Sequence, residues 1–143
     1  MEANFKVLVV DDDEHLLYGF IMDYLNETLG KNGYELSTAT SGVEALEKIA
    51  QNKPKTIILD TELSLYMMDG FQFFEIIREN PNLDDVKVIA MCDDPSNIQI
   101  WNRIYGKTSS NSRYRERGID AVIEKSELIK LSGLVEQLNQ SQQ

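Results

Sequence analysis

Apolar and polar positions fall into two alternating rhythms along this chain. Five short segments carry apolar or β-branched residues in dense runs: FKVLVV (5–10), YELSTA (34–39), KTIILD (55–60), VKVIAM (86–91) and DAVIE (120–124). The first, third and fourth are apolar on successive residues, the pattern of strands covered on both faces, and are predicted to be central. Between the runs, apolar residues recur at the three- and four-residue spacing of a helix. Leu17, Phe20, Ile21, Tyr24 and Leu25 follow Asp13, a suitable N-cap. Val43, Leu46, Ile49 and Ala50 form a second stripe, and Phe71, Phe74 and Ile77 with Arg78 a third. Ile98, Trp101 and Tyr105 form a fourth, with Ser96 or Asn97 near its cap. Leu128, Leu131, Leu134, Val135 and Leu138 form the last, in which Gly133 costs about 1 kcal/mol relative to alanine. Five strands alternating with five helices predict right-handed crossovers and a doubly wound parallel sheet of the α/β class.

Composition adds limits. With 143 residues, 42% of them hydrophobic, the chain suits one domain over residues 1–143 with a single core. Acidic residues outnumber basic ones 24 to 14, for a formal charge of -10, which repels phosphate backbones and anionic membranes. Neither nucleic acid nor membrane is therefore expected as a partner. One cysteine, Cys92, excludes an internal disulfide and any multi-cysteine metal cluster, and fits a reducing compartment. No signal-peptide pattern and no run approaching the roughly 18 apolar residues of a membrane span occurs, so a cytoplasmic location is expected.

Ligand sites in such sheets lie beyond the carboxyl ends of the strands. Asp11 and Asp12 follow the first strand, Asp60 closes the third, Cys92 and Asp93 follow the fourth, and Lys125 follows the fifth. Two carboxylates about 4 Å apart at an effective dielectric near 20 repel by roughly 4 kcal/mol, so the cluster needs compensation. A hard divalent cation such as Mg2+ takes oxygen ligands and keeps waters for a phosphate-bearing partner. Lys125 adds a point charge suited to a phosphate oxygen. Together they suggest phosphoryl transfer with one aspartate as nucleophile. Any single aspartate equally reads as a solvated capping group, and Asp13 and Glu14 are read that way, as first-turn residues favoured by the helix dipole.

The ordered set VLVVDDDE, IILD, MDGF, VIAMCD and VIEKS resembles the receiver domain of bacterial two-component response regulators over essentially the whole chain. The resemblance implies a flavodoxin-like sheet of order 2-1-3-4-5. It makes Asp60 the acceptor of a phosphoryl group from a histidine kinase or phosphotransfer protein. It makes Asp11 and Asp12 the acid pair for Mg2+, with Asp60 and the backbone carbonyl of Glu62 as further ligands, and Lys125 the contact to the phosphoryl group. Such a domain is a regulatory phospho-acceptor, not an enzyme acting on other substrates, and passes its signal to a downstream protein.

Four departures from the family pattern stand out. Cys92 replaces the usual serine or threonine at the end of the fourth strand, and a thiol is a weak donor to a phosphoryl oxygen. Val122 stands where an aromatic switch residue is usual. The turn from Asp60 to Gly70, TELSLYMMDG, is longer than usual and lacks its proline, with Tyr66 and Met67 either packed or open to a partner. The stretch from Cys92 to Lys125 is also long. Its polar run Gly106 to Ser112 reads as a loop or disordered tip, and Arg113, Arg115 and Arg117 as solvated charge or a contact for an acidic partner. His15, the only histidine, is either an ordinary helix residue or a neighbour that tunes the acid pair.

Two other readings stay open. One is an interaction module that keeps the fold without using phosphate as its switch, favoured by Cys92, Val122 and the long turn. The other is a small-molecule phosphatase with an aspartyl-phosphate intermediate, for which Glu62, two residues after Asp60, would be the second acid. No output domain is expected in this chain, which ends with NQSQQ after the last helix and reads as a stand-alone regulator or a fragment of a longer protein.

Overall fold

A computed structural model describes residues 5–63, 68–107 and 114–140. Five strands, β1 (Lys6–Val10), β2 (Glu35–Ala39), β3 (Thr56–Asp60), β4 (Lys87–Cys92) and β5 (Ala121–Glu124), form one parallel sheet of order β2-β1-β3-β4-β5. The three unbroken apolar runs are its three interior strands. Successive residues serve opposite layers, because side chains alternate across a pleated strand. Leu8, Val10, Ile57, Leu59, Val88 and Ala90 pack into the core on one face. Val7, Val9, Ile58, Ile89 and Met91 pack into the core on the other.

Helices cover both faces. The first, α1, runs over 14–28 in three parts: Glu14–Leu16, a π-helical Leu17–Ile21, and Met22–Thr28. The others are α2 (Gly42–Gln51), α3 (Gly70–Arg78), α4 (Pro95–Tyr105) and α5 (Leu131–Gln140). A 3-10 segment, Lys125–Lys130, leads from β5 into α5.

Several apolar positions differ from their predicted placement. Phe20 belongs to the stripe by spacing, yet it is 59% exposed. Leu17, Ile21, Leu25 and Leu29, four residues apart, fill the core instead. A four-residue repeat drifts around a regular α-helix, and the wider π turn at Leu17–Ile21 resets the phase, leaving Phe20 outside. In α2 the buried positions are Gly42, Ala45 and Ile49, while Ala50 is exposed. Small residues bring that helix close: a Cβ on Gly42 would meet Met68 Sδ at 2.8 Å.

The start of α4 is also corrected. Asp94 is its N-cap, accepting the Ser96 amide at 2.9 Å, and Pro95 occupies the first turn where its missing N–H costs nothing. Gly106, expected to open a polar loop, is buried and bridges to Ile119 in parallel pairing. Residues 108–113 of that run lie outside the described residues. Trp101 and Tyr105 are core residues, at 1% and 2% exposure, and Trp101 stacks on Phe71 with ring centroids 4.7 Å apart.

Candidate functional site

The sheet register brings the acidic residues to one rim. Parallel pairing continues past the strand ends, with Asp11 N donating to Ala39 O at 3.0 Å and Thr61 N to Met91 O at 2.9 Å. Asp11 and Asp60 are thereby held at the carboxyl ends of two adjacent strands. The run of three aspartates then divides its work. Asp11 is buried and its Oδ1 accepts the Asp13 amide at 2.9 Å. Asp12 is half-buried beside it. Asp13 is exposed and caps α1, accepting the Leu16 amide at 3.1 Å.

Asp11, Asp12 and Asp60 each offer a carboxylate oxygen within 4.8 Å of the others. Asp60 Oδ1 accepts the Glu62 amide at 2.9 Å and lies 3.0 Å from Lys125 Nζ. Both contacts fall on Oδ1. Burial, reinforced by the neighbouring Asp11 charge, pushes Asp60 from an ordinary 3.8 up to about 7. Burial likewise raises Asp11. For Lys125 burial works against the charge, but the Asp60, Asp11 and Asp93 carboxylates together outweigh it and hold the ammonium above its usual range.

Among the described residues, the second oxygen of Asp11, Oδ2, is buried without a hydrogen-bond partner. A carboxylate oxygen left so is costly, by about 1–3 kcal/mol. The all-oxygen, hard donor set fits a divalent cation of the Mg2+ kind.

Glu62 has a larger part than sequence reasoning gave it. Its Oε1 accepts the Asp93 amide at 3.2 Å and lies 3.9 Å from Lys125 Nζ. Its Oε2 accepts from Asn97 Nδ2 at 2.8 Å and lies 3.0 Å from the Thr61 hydroxyl. The carboxylate thus joins the end of β3 to the start of α4. A glutamate two residues after Asp60 was visible in the sequence; its partner Asn97 depended on where α4 begins.

Cys92 is fully buried at the end of β4, beside the Thr61 hydroxyl, and burial pushes its thiol up to about 11. Val122 is half-buried and packs against the same core. His15 is exposed on the first turn of α1. Arg117 donates to the Arg78 carbonyl at 2.6 Å and pairs with Asp84 at 3.2 Å, so its charge is engaged within the fold. Tyr66, Met67, Arg113 and the Arg115 side chain lie outside the described residues.

One exposed apolar groove borders the rim. Leu16, Phe20, Tyr24, Leu128 and Ile129 line it, with Lys125 at its edge. Ile129 is 79% exposed.

An acidic trio and a lysine at the carboxyl edge of a 2-1-3-4-5 sheet define a receiver-type α/β domain. The chain belongs to the response regulator receiver domain family, whose pattern matches residues 7–104. It is similar to the response regulator MprA of Mycobacterium sp. (strain KMS), 33% identical over 86 residues, covering 60% of this chain and 34% of the relative. The alkaline phosphatase synthesis transcriptional regulatory protein PhoP of Bacillus subtilis (strain 168) is also 33% identical, over 91 residues, covering 64% of this chain and 35% of that protein. The matched region spans about a third of these relatives. Among solved structures, the signal receiver domain of a DNA binding response regulator from Colwellia psychrerythraea 34H has the same fold. Its TM-score is 0.72 at 20% identity, over 96% of this chain and 99% of that one. The chemotaxis protein CheY4 of Vibrio cholerae gives 0.68 at 24% identity, over 95% and 99%. Among the described residues no helix is long and apolar enough to cross a membrane.

Proposed function

We propose that this chain is a phosphorylation-controlled signalling domain in which Asp60 accepts a phosphoryl group from a phosphohistidine on a histidine kinase or phosphotransfer protein. The observation that carries the reading is the 3.0 Å contact of Lys125 with Asp60 Oδ1 beside the Asp11 and Asp12 carboxylates. A carboxylate oxygen of Asp60 attacks phosphorus. The P–N bond breaks, its electron pair stays on the imidazole nitrogen, which takes a proton, and an acyl phosphate remains on Asp60. Lys125 stabilises the negative charge on the phosphoryl oxygens. Asp11, Asp12, Asp60 and the Glu62 carbonyl are the residues that would hold Mg2+. When bound, the ion neutralises carboxylate and phosphoryl charge. Signalling ends when water attacks the phosphorus and Asp60 leaves as carboxylate, releasing inorganic phosphate.

A protein donor must dock close enough for its phosphohistidine to reach Asp60, and the groove of Phe20 and Ile129 opens beside Lys125. An exposed apolar patch of this kind suits a partner surface. Residues 1–143 act as one receiver unit in this reading, and the chain works in the cytoplasm, facing its kinase. A phosphate-independent interaction module is the second reading, favoured by the buried, protonated Cys92 and by Val122. Chemical trapping separates them. After treatment with acetyl phosphate and Mg2+, borohydride reduction followed by peptide mapping should convert Asp60 to homoserine. Unmodified Asp60 from folded protein favours the module.

A further inference from the structure

Resting on the reading above, we propose that the Glu62 carboxylate is a resident anion. It occupies donors that the phosphoryl group needs and holds α4 to β3 until phosphorylation expels it. Glu62 is thus a positioning residue for α4.

The Asp93 amide and the Lys125 ammonium both face Glu62 Oε1, at 3.2 and 3.9 Å. An N–H and a cation converging on one oxygen form a seat for a phosphoryl oxygen. The same carboxylate takes Asn97 Nδ2 at 2.8 Å through Oε2, so α4 is anchored in the unphosphorylated protein. Cys92 gives no hydroxyl at the end of β4 with which a phosphoryl group could draw that loop inward. The link from β3 to α4 is supplied by Glu62 instead, with Thr61 steadying it at 3.0 Å.

Phosphorylated Asp60 would place up to two negative charges beside Glu62 and compete for both donors. Repulsion and lost donors act together, so the glutamate leaves and Asn97 is released. Movement at Asn97 passes along one face of α4 to Trp101, four residues on. Trp101 stacks on Phe71 and lies edge-on to Phe74 of α3. The sign of this switch is release of α4 on phosphorylation.

Amide exchange by NMR, with emission from the single tryptophan, tests this directly. In unphosphorylated protein, Glu62→Ala should speed exchange of the Asp93 amide at least tenfold and shift Trp101 emission. Glu62→Gln keeps one acceptor oxygen and replaces the other by an NH2 donor, so it should protect only one of the Asp93 and Asn97 donors and fall between wild type and Glu62→Ala. Wild-type protein phosphorylated to completion, as judged by intact mass, should lose Asn97 side-chain protection and shift emission in the direction seen for Glu62→Ala. Phosphorylated Glu62→Ala should show no further shift. The proposal is overturned by unchanged Asp93 exchange in Glu62→Ala, or by full Asn97 protection in fully phosphorylated wild type. A wild-type chain that gains no phosphoryl group contradicts the phospho-acceptor reading and the expulsion step, while the Glu62→Ala comparison still decides the anchor.

Discussion

Lys125 Nζ sits 3.0 Å from Asp60 Oδ1, a largely buried cation against a buried carboxylate at the ends of β5 and β3. The two strands are not neighbours, since β4 lies between them, and the lysine side chain crosses that strand's end to make the contact. This reach couples the Asp60 carboxylate to the 3-10 segment that leads into α5. Replacing Lys125 by methionine keeps the length and removes the charge. Phosphorylation of Asp60 by acetyl phosphate should then slow by about 10²-fold, the usual loss when one transition-state donor is removed. A time course by intact mass checks it.

Stability of the metal-free protein should fall as pH rises. Asp60 has an ordinary value of 3.8 and is pushed to about 7 when folded, so between those values the folded state binds more protons than the unfolded chain. The stabilising proton is fully present below about 4 and is lost as pH climbs through 7, at a cost of about 2–4 kcal/mol. Carboxylates held low, such as Glu44 and Asp85, act in the opposite sense and in a lower pH range. Urea midpoints in chelator should therefore decline from pH 5 to 8. Asp60→Asn should flatten the decline, and Mg2+ should restore stability at pH 8 far more than at pH 5.

Phe20 and Ile129 are exposed at 59% and 79%, where they stabilise little of the fold. Phe20→Asp should leave the unfolding midpoint within about 0.5 kcal/mol of wild type. Phosphorylation by acetyl phosphate should be unchanged, while transfer from a phosphorylated histidine kinase should weaken at least tenfold. Equal rates from both donors would remove the groove from the docking surface.

Trp101 is 1% exposed within rings from Phe71, Phe74 and Tyr105. Trp101→Ala should cost about 3–5 kcal/mol in urea unfolding, because a cavity adds to the lost burial.

The central strands and the acidic rim were legible because each follows from a local signal, whereas the order 2-1-3-4-5 rested on the family resemblance. Unbroken apolar runs mark β1, β3 and β4 as central, and charges directly after them fall at one edge by topology alone. Phe20 was not, since spacing assumes a regular helix and cannot show the π turn at Leu17–Ile21. Asp94 was missed as the cap of α4, and with it the meeting of Asn97 and Glu62, which are 35 residues apart. The Gly42 packing was equally hidden, because small residues leave no apolar signal while permitting the close approach of Met68.

The central claim is that the Asp60 carboxylate accepts a phosphoryl group with help from a divalent cation. Intact mass after incubation with acetyl phosphate, with and without Mg2+ and beside Asp60→Asn, tests it most directly. The expected result is a gain of one phosphoryl group that requires Mg2+ and is absent from the variant. No gain in folded wild-type protein, or an equal gain in Asp60→Asn, would contradict it.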